Sequence, residues 1–125
     1  MANIMVVDDE SALLESMRTY LTRLGHSVTA FQNAESAWER FNADPSVYSA
    51  VIVDMTLSGM SGEALIRKLL CRNPEVAVLA TSGYPGSLRN FEGPPRSRIA
   101  ILEKPFTPGM LTDALARLLG SSAGT

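Results

Sequence analysis

The chain has 125 residues, 46% of them hydrophobic and 19% charged, the composition of one globular domain and not of a disordered segment. A net charge of −2 argues against a nucleic-acid binder held by phosphate contacts. A single cysteine, Cys71, excludes an internal disulfide and a Cys-cluster metal site, and a single histidine, His26, argues against a zinc site or a Ser-His triad. No apolar run approaches the ~20 residues needed to cross a bilayer, and the N-terminus lacks the basic start of a signal peptide, so the expectation is a soluble cytoplasmic domain.

Taken in chain order, short apolar runs alternate with longer stretches of helical spacing. Residues 4–7 are apolar on both faces, as a buried parallel strand requires. Leu13, Leu14, Met17, Tyr20, Leu21 and Leu24 mark a helix face, with Gly25 placed to end it. Residues 27–31 carry one apolar set, Val28 and Ala30, which suits an edge or partly covered strand. Ala34, Ala37, Trp38 and Phe41 mark a second helix capped by Asn33, with Trp38 and Phe41 in the core.

Residues 50–53 form a third strand, followed by a helix marked by Leu65, Ile66, Leu69 and Leu70, with Ser61 near its start and Pro74 past its end. Residues 76–80 are a fourth strand. Residues 83–97 hold Pro85, Gly86, Gly93, Pro94 and Pro95, so the helix expected there shrinks to a turn or two near residues 87–91. Residues 99–102 are a fifth strand. Met110, Leu111, Ala114, Leu115, Leu118 and Leu119 mark the final helix, opened by Thr107-Pro108. The domain is expected to span residues 1–119, with 120–125 a flexible tail or linker. His26 is expected to be exposed.

Strand-helix alternation throughout implies an α/β domain with a parallel sheet and right-handed crossovers, and such sheets bind ligands beyond the carboxyl ends of their strands. The first strand runs into Asp8-Asp9-Glu10, the third into Asp54, the fourth into Thr81-Ser82-Gly83 and the fifth into Lys104-Pro105. Carboxylates a few ångströms apart repel by ~4 kcal/mol per pair at an effective dielectric of about 20, so the set calls for a cation. Oxygen ligands without His or Cys favour a hard ion, Mg²⁺ or Mn²⁺. A metal, a lysine and a hydroxyl around a carboxylate make a cradle for a phosphoryl group, which the carboxylate accepts as an acyl phosphate.

The stretches MVVDDE at 5–10, VIVDMTLSGMSG at 51–62, LATSGY at 79–84 and EKPF at 103–106 resemble the response-regulator receiver domain of two-component signalling, and the resemblance covers nearly the whole chain. It implies a doubly wound, flavodoxin-like sheet of five parallel strands in the order 2-1-3-4-5. It further implies that Asp54 is the phosphoacceptor and that Asp9 ligates Mg²⁺, with Asp8 acting directly or through water and the Thr56 backbone carbonyl as a further ligand. Ser82 matches the switch hydroxyl, with Thr81 as the alternative, and Lys104 pairs with Asp54 and then with the phosphoryl oxygens. Lys104-Pro105 is a candidate cis peptide.

The implied partners are a histidine kinase or histidine phosphotransfer protein and a downstream protein target, with no direct nucleic acid and no membrane. The resemblance implies a phosphoacceptor that assists its own phosphoryl transfer and dephosphorylation rather than an enzyme with a separate substrate. The chain departs from the family pattern at Ser58, where a proline is usual, and at Ile101, where an aromatic is usual. With no aromatic ring to rotate, the output change is expected in residues 83–97. A Mg²⁺-dependent Asp phosphatase fits less well, because Thr56 stands where a second acid is needed. A flavin domain fits less well, because an acid pair follows the first strand where a phosphate loop would be.

Overall fold

A computed structural model describes residues 2–57, 59–83 and 98–123 of the chain. The elements are β1 (Asn3–Val7), α1 (Ser11–Arg23), β2 (Ser27–Phe31), α2 (Ala34–Ala43), β3 (Ala50–Asp54), α3 (Gly62–Arg72), β4 (Ala77–Ser82), β5 (Arg98–Glu103) and α4 (Pro108–Ala123). The strands form one parallel sheet in the order β2-β1-β3-β4-β5, as expected. The helix expected near residues 87–91, Tyr84, Ser58 and the last two residues of the tail lie outside the described residues.

The helix ends follow from local chemistry. Asn33 caps α2 by accepting the Ser36 N–H at 2.8 Å, and Ser61 caps α3 by accepting the Ala64 N–H at 3.1 Å. Thr107 accepts the Met110 N–H at 3.1 Å at the start of α4, where Pro108 takes the first helical position. Gly25 closes the turn after α1 at φ 97°, a conformation that a Cβ would strain. Gly120 takes no such φ, and α4 continues past it to Ala123 instead of ending there.

Alternation along each strand divides the core into two layers. Met5, Val7, Val51, Val53, Val78 and Ala80 face α2 and α3, where they meet Ala37, Phe41, Leu65 and Leu69. Ile4, Val6, Ile52, Leu79 and Leu102 face α1 and α4, where they meet Leu14, Leu21, Leu111 and Leu115. β1, β3 and β4 are covered on both faces, whereas β2 is only half-buried, as its single apolar set foretold. Phe41 is fully buried, but Trp38 is only partly so and carries Lys68 Nζ 5.0 Å above its ring centroid.

Two contacts differ from what the sequence suggests. His26 is half-buried rather than exposed, because its Nδ1 accepts the Ala2 N–H at 3.1 Å and ties the chain start to the α1–β2 turn. Gly62 opens α3 directly against the end of β3. A Cβ there would lie 2.4 Å from the Asp54 carbonyl oxygen and 2.8 Å from Met55 Cα.

Gly62→Ala should therefore destabilise the fold by about 1–3 kcal/mol, read as a lower denaturant midpoint, because backbone rather than a flexible side chain must give way. The His26 bond requires a neutral ring, and burial lowers the pKa of His26 from the usual 6.5. The unfolded chain binds the proton more readily, so His26 costs stability as the pH falls from 6.5 toward the lower folded value, and its contribution is complete above 6.5. His26→Asn, whose Oδ1 accepts without titrating, should flatten that part of the stability–pH curve relative to the parent protein.

Candidate functional site

The alternation that sorts the core also sorts the strand ends. Asp8 follows Val6 by two residues, Asp54 follows Ile52, Thr81 follows Leu79 and Lys104 follows Leu102, so all four take the α1/α4 side of the sheet. The order β1-β3-β4-β5 then sets them side by side at one edge. Asp9 takes the other phase and is exposed, while Asp8 and Asp54 are buried.

One carboxylate oxygen from each of Asp8, Asp9 and Asp54 lies within 4.8 Å of the others. Lys104 Nζ reaches across β4 to sit 3.2 Å from Asp8 Oδ2 and 3.4 Å from Asp54 Oδ2. The lysine expected to pair with Asp54 thus bridges both buried acids. The peptide bond from Lys104 to Pro105 is cis, as the motif suggested.

Backbone and hydroxyl donors hold the remaining carboxylate oxygens. The Glu10 N–H donates to Asp8 Oδ1 at 2.8 Å, as that chain turns into α1. Thr56 donates twice to Asp54 Oδ1, from its N–H at 3.0 Å and its hydroxyl at 2.8 Å. Ser82 is buried at the end of β4, and its carbonyl accepts the Lys104 N–H at 2.7 Å. Thr81 is the register partner of Asp54, and its carbonyl accepts the Met55 N–H at 2.8 Å.

The electrostatics follow from this packing. Burial pushes the Asp8 carboxyl above the usual carboxylate range. The Glu10 amide opposes this, the Asp54 charge adds to it, and Lys104 pulls it back. Burial alone would lower the Lys104 ammonium, but Asp8 and then Asp54 outweigh it and the net shift is upward, which keeps Lys104 charged. Among the described residues, three carboxylates face one ammonium, and the balance of that cluster is negative.

Sequence reasoning missed what holds the β3–α3 loop. Glu35, in the first turn of α2, accepts the Met60 N–H at 3.0 Å, and Gly59 sits at φ 76° where a Cβ would approach Glu35 Oε2 to 3.1 Å. Glu35 reads locally as an ordinary acid at a helix start, and nothing in its neighbours announces a partner 25 residues on. Gly59 and Gly62 were visible as residues of the loop motif, but only the backbone shows what each makes room for.

Comparison with known proteins fits this geometry. Residues 4–116 match the response regulator receiver domain family. The chain is 31% identical over 125 residues to the response regulator protein FleR of Pseudomonas aeruginosa, covering 99% of this chain and 26% of FleR. It is 24% identical over 119 residues to the response regulator receiver protein CpdR of Brucella abortus, covering 95% of this chain and 98% of CpdR. Among solved structures, a response regulator receiver domain protein from Clostridium thermocellum superposes with a TM-score of 0.86 at 25% identity, covering 98% of both chains. The chain thus spans about a quarter of FleR and nearly the whole of CpdR. A buried acid pair bridged by one lysine at the carboxyl edge of a 2-1-3-4-5 sheet, found in a chain whose residues 4–116 match this family, makes it a member of the response regulator receiver domain family, the phosphoacceptor module of two-component signalling.

Proposed function

We propose that Asp54 accepts the phosphoryl group, that Asp8, Asp9, Asp54 and the Thr56 carbonyl hold Mg²⁺, and that Lys104 and Ser82 respond to the phosphorylated state. The observation that carries the reading is the placement of Lys104 Nζ 3.4 Å from a buried Asp54 that lies within the three-carboxylate cluster. Receiver domains typically bind Mg²⁺ at an acidic cluster, and the residues here fit that ion. The donors are all oxygens, two of the acids are buried, and the single ammonium leaves net negative charge for a divalent cation to offset. When bound, Mg²⁺ neutralises the carboxylates and offsets charge on the incoming phosphoryl oxygens.

The chain's own part is positioning and charge. An Asp54 carboxylate oxygen attacks phosphorus in line with the leaving group. The new O–P bond forms as the P–N bond of a phosphohistidine donor breaks, and its electron pair returns to the imidazole nitrogen. Thr56 fixes the rotation of the Asp54 carboxylate through its two hydrogen bonds to Oδ1. Lys104, already against Oδ2, then pairs with the phosphoryl oxygens.

The partners that suit this chemistry are a histidine kinase or phosphotransfer protein and a downstream protein, in the cytoplasm. No described helix is long and apolar enough to cross a membrane. The same residues would assist hydrolysis of the acyl phosphate. Incubation with acetyl phosphate and Mg²⁺ should add one phosphoryl mass to the intact chain, and Asp54→Asn should abolish the addition. An equal gain in Asp54→Asn would refute the assignment.

Mg²⁺ should raise the melting temperature through binding to the native state alone, and Asp9→Ala should remove most of that rise. Lys104→Ala removes the cation shared by two buried acids. Because the Lys104 side chain is 20% exposed, the loss should fall below that of a fully buried pair, about 1–3 kcal/mol without Mg²⁺. Added Mg²⁺ should recover more stability in Lys104→Ala than in the parent, while the response to phosphorylation is lost. Thermal melts with and without Mg²⁺ read the stabilities, and the same melts after addition of acetyl phosphate read the response.

A further inference from the structure

Among the described residues, one buried side-chain polar atom has no hydrogen-bond partner, and it is the Thr81 hydroxyl. Thr81 is fully buried, and its place is not arbitrary. It is the register partner of Asp54 on one side and of Leu102 on the other. It shares the α1/α4 side of the sheet with Asp8, Asp54 and Lys104. Lys104 starts beyond β5 and reaches Asp54 on β3, so its stem must cross β4, where Thr81 stands. Neighbouring strands lie about 4.8 Å apart, and side chains paired in register on one face come within contact distance.

An orphaned buried hydroxyl costs stability, and natural interiors rarely keep one. Here it stands beside the groups whose hydrogen bonds must rearrange when Asp54 changes from a free carboxylate to an acyl phosphate. Lys104 must then redistribute its three donors among Asp8, Asp54 and new phosphoryl oxygens, and Asp54 Oδ2 no longer carries the same charge. Rotation of Thr81 about χ1 moves its hydroxyl between staggered positions without disturbing the strand.

We propose that Thr81 is a positioning residue whose hydroxyl is held in reserve in the unmodified protein and takes a hydrogen bond in the Lys104–Asp54 cluster once Asp54 is phosphorylated. This rests on the reading of Asp54 as the phosphoacceptor. It adds a second hydroxyl to the response, on the opposite phase of β4 from Ser82. The orphan state destabilises the resting form and the new bond stabilises the modified form, so a single group biases the equilibrium from both ends.

The test uses Thr81→Val, which keeps the branched shape and deletes the hydroxyl, and Thr81→Ser, which keeps the hydroxyl. Melting is measured without ligand, and binding of beryllofluoride with Mg²⁺, a stand-in for the phosphoryl group, is measured by calorimetry. Thr81→Val should melt about 2–5 °C higher than the parent without beryllofluoride. It should bind beryllofluoride about 5–10-fold more weakly, while Thr81→Ser stays within about twofold of the parent. A Thr81→Val protein that melts lower would show that the hydroxyl already holds a bond and would overturn the proposal, as would parental beryllofluoride affinity in Thr81→Val or an equal loss in Thr81→Ser. Failure of the parent to bind beryllofluoride, or equal binding by Asp54→Asn, would instead overturn the phosphoacceptor reading itself.

Discussion

The site is organised by the repulsion of two buried carboxylates that, among the described residues, one ammonium relieves. Asp8 and Asp54 stand at the ends of adjacent central strands, where neither can retreat to water. Lys104 is the partner that the fold provides, delivered from the far side of β4 at the end of β5. Burial raises Asp8, and the pair of acids holds Lys104 charged, so each group is shaped by the others. The arrangement is stable enough to fold and sufficiently under-compensated to welcome further positive charge.

The backbone around the cluster is fitted to hold it still. The Glu10 amide and both donors of Thr56 occupy the carboxylate oxygens that Lys104 does not reach. Gly62 lets α3 begin in contact with the Asp54 carbonyl, and Glu35 ties the intervening loop to α2. The Asp54 position is therefore fixed from three directions: the sheet, the loop that follows it and the helix after that. Such overdetermination is what a transfer reaction dominated by positioning requires.

Much of this was legible in the sequence because it is one-dimensional in origin. Four apolar runs and their polar terminators specify strands and strand ends, and alternation of period two aligns Asp8, Asp54 and Lys104 once the strand order is known. That order came with the family resemblance, since apolar strands alone do not say which lies beside which. What escaped was set by contacts between distant backbone and side chains. Glu35 with Met60, His26 with Ala2, and Gly62 with Asp54 depend on the path of the chain in space. The motif matched Ser82 to the switch hydroxyl, with the adjacent Thr81 as the alternative. The sheet gives the two opposite phases, and Thr81 joins the side of the acids.

The contrast between Asp8 and Asp9 has a kinetic consequence. Consecutive residues place one carboxylate inside the domain and the next at its surface, yet both contribute to one cluster. If this cluster holds the proposed cation, the ion would reach it from the side of Asp9, the exposed acid, and not through the buried face that Asp8 and Asp54 share. Its residence would then be set by dehydration and rebinding of water at that rim. Occupancy would follow the free ion concentration of the surroundings, so a phosphodonor would meet a site whose loading reports the local ion level.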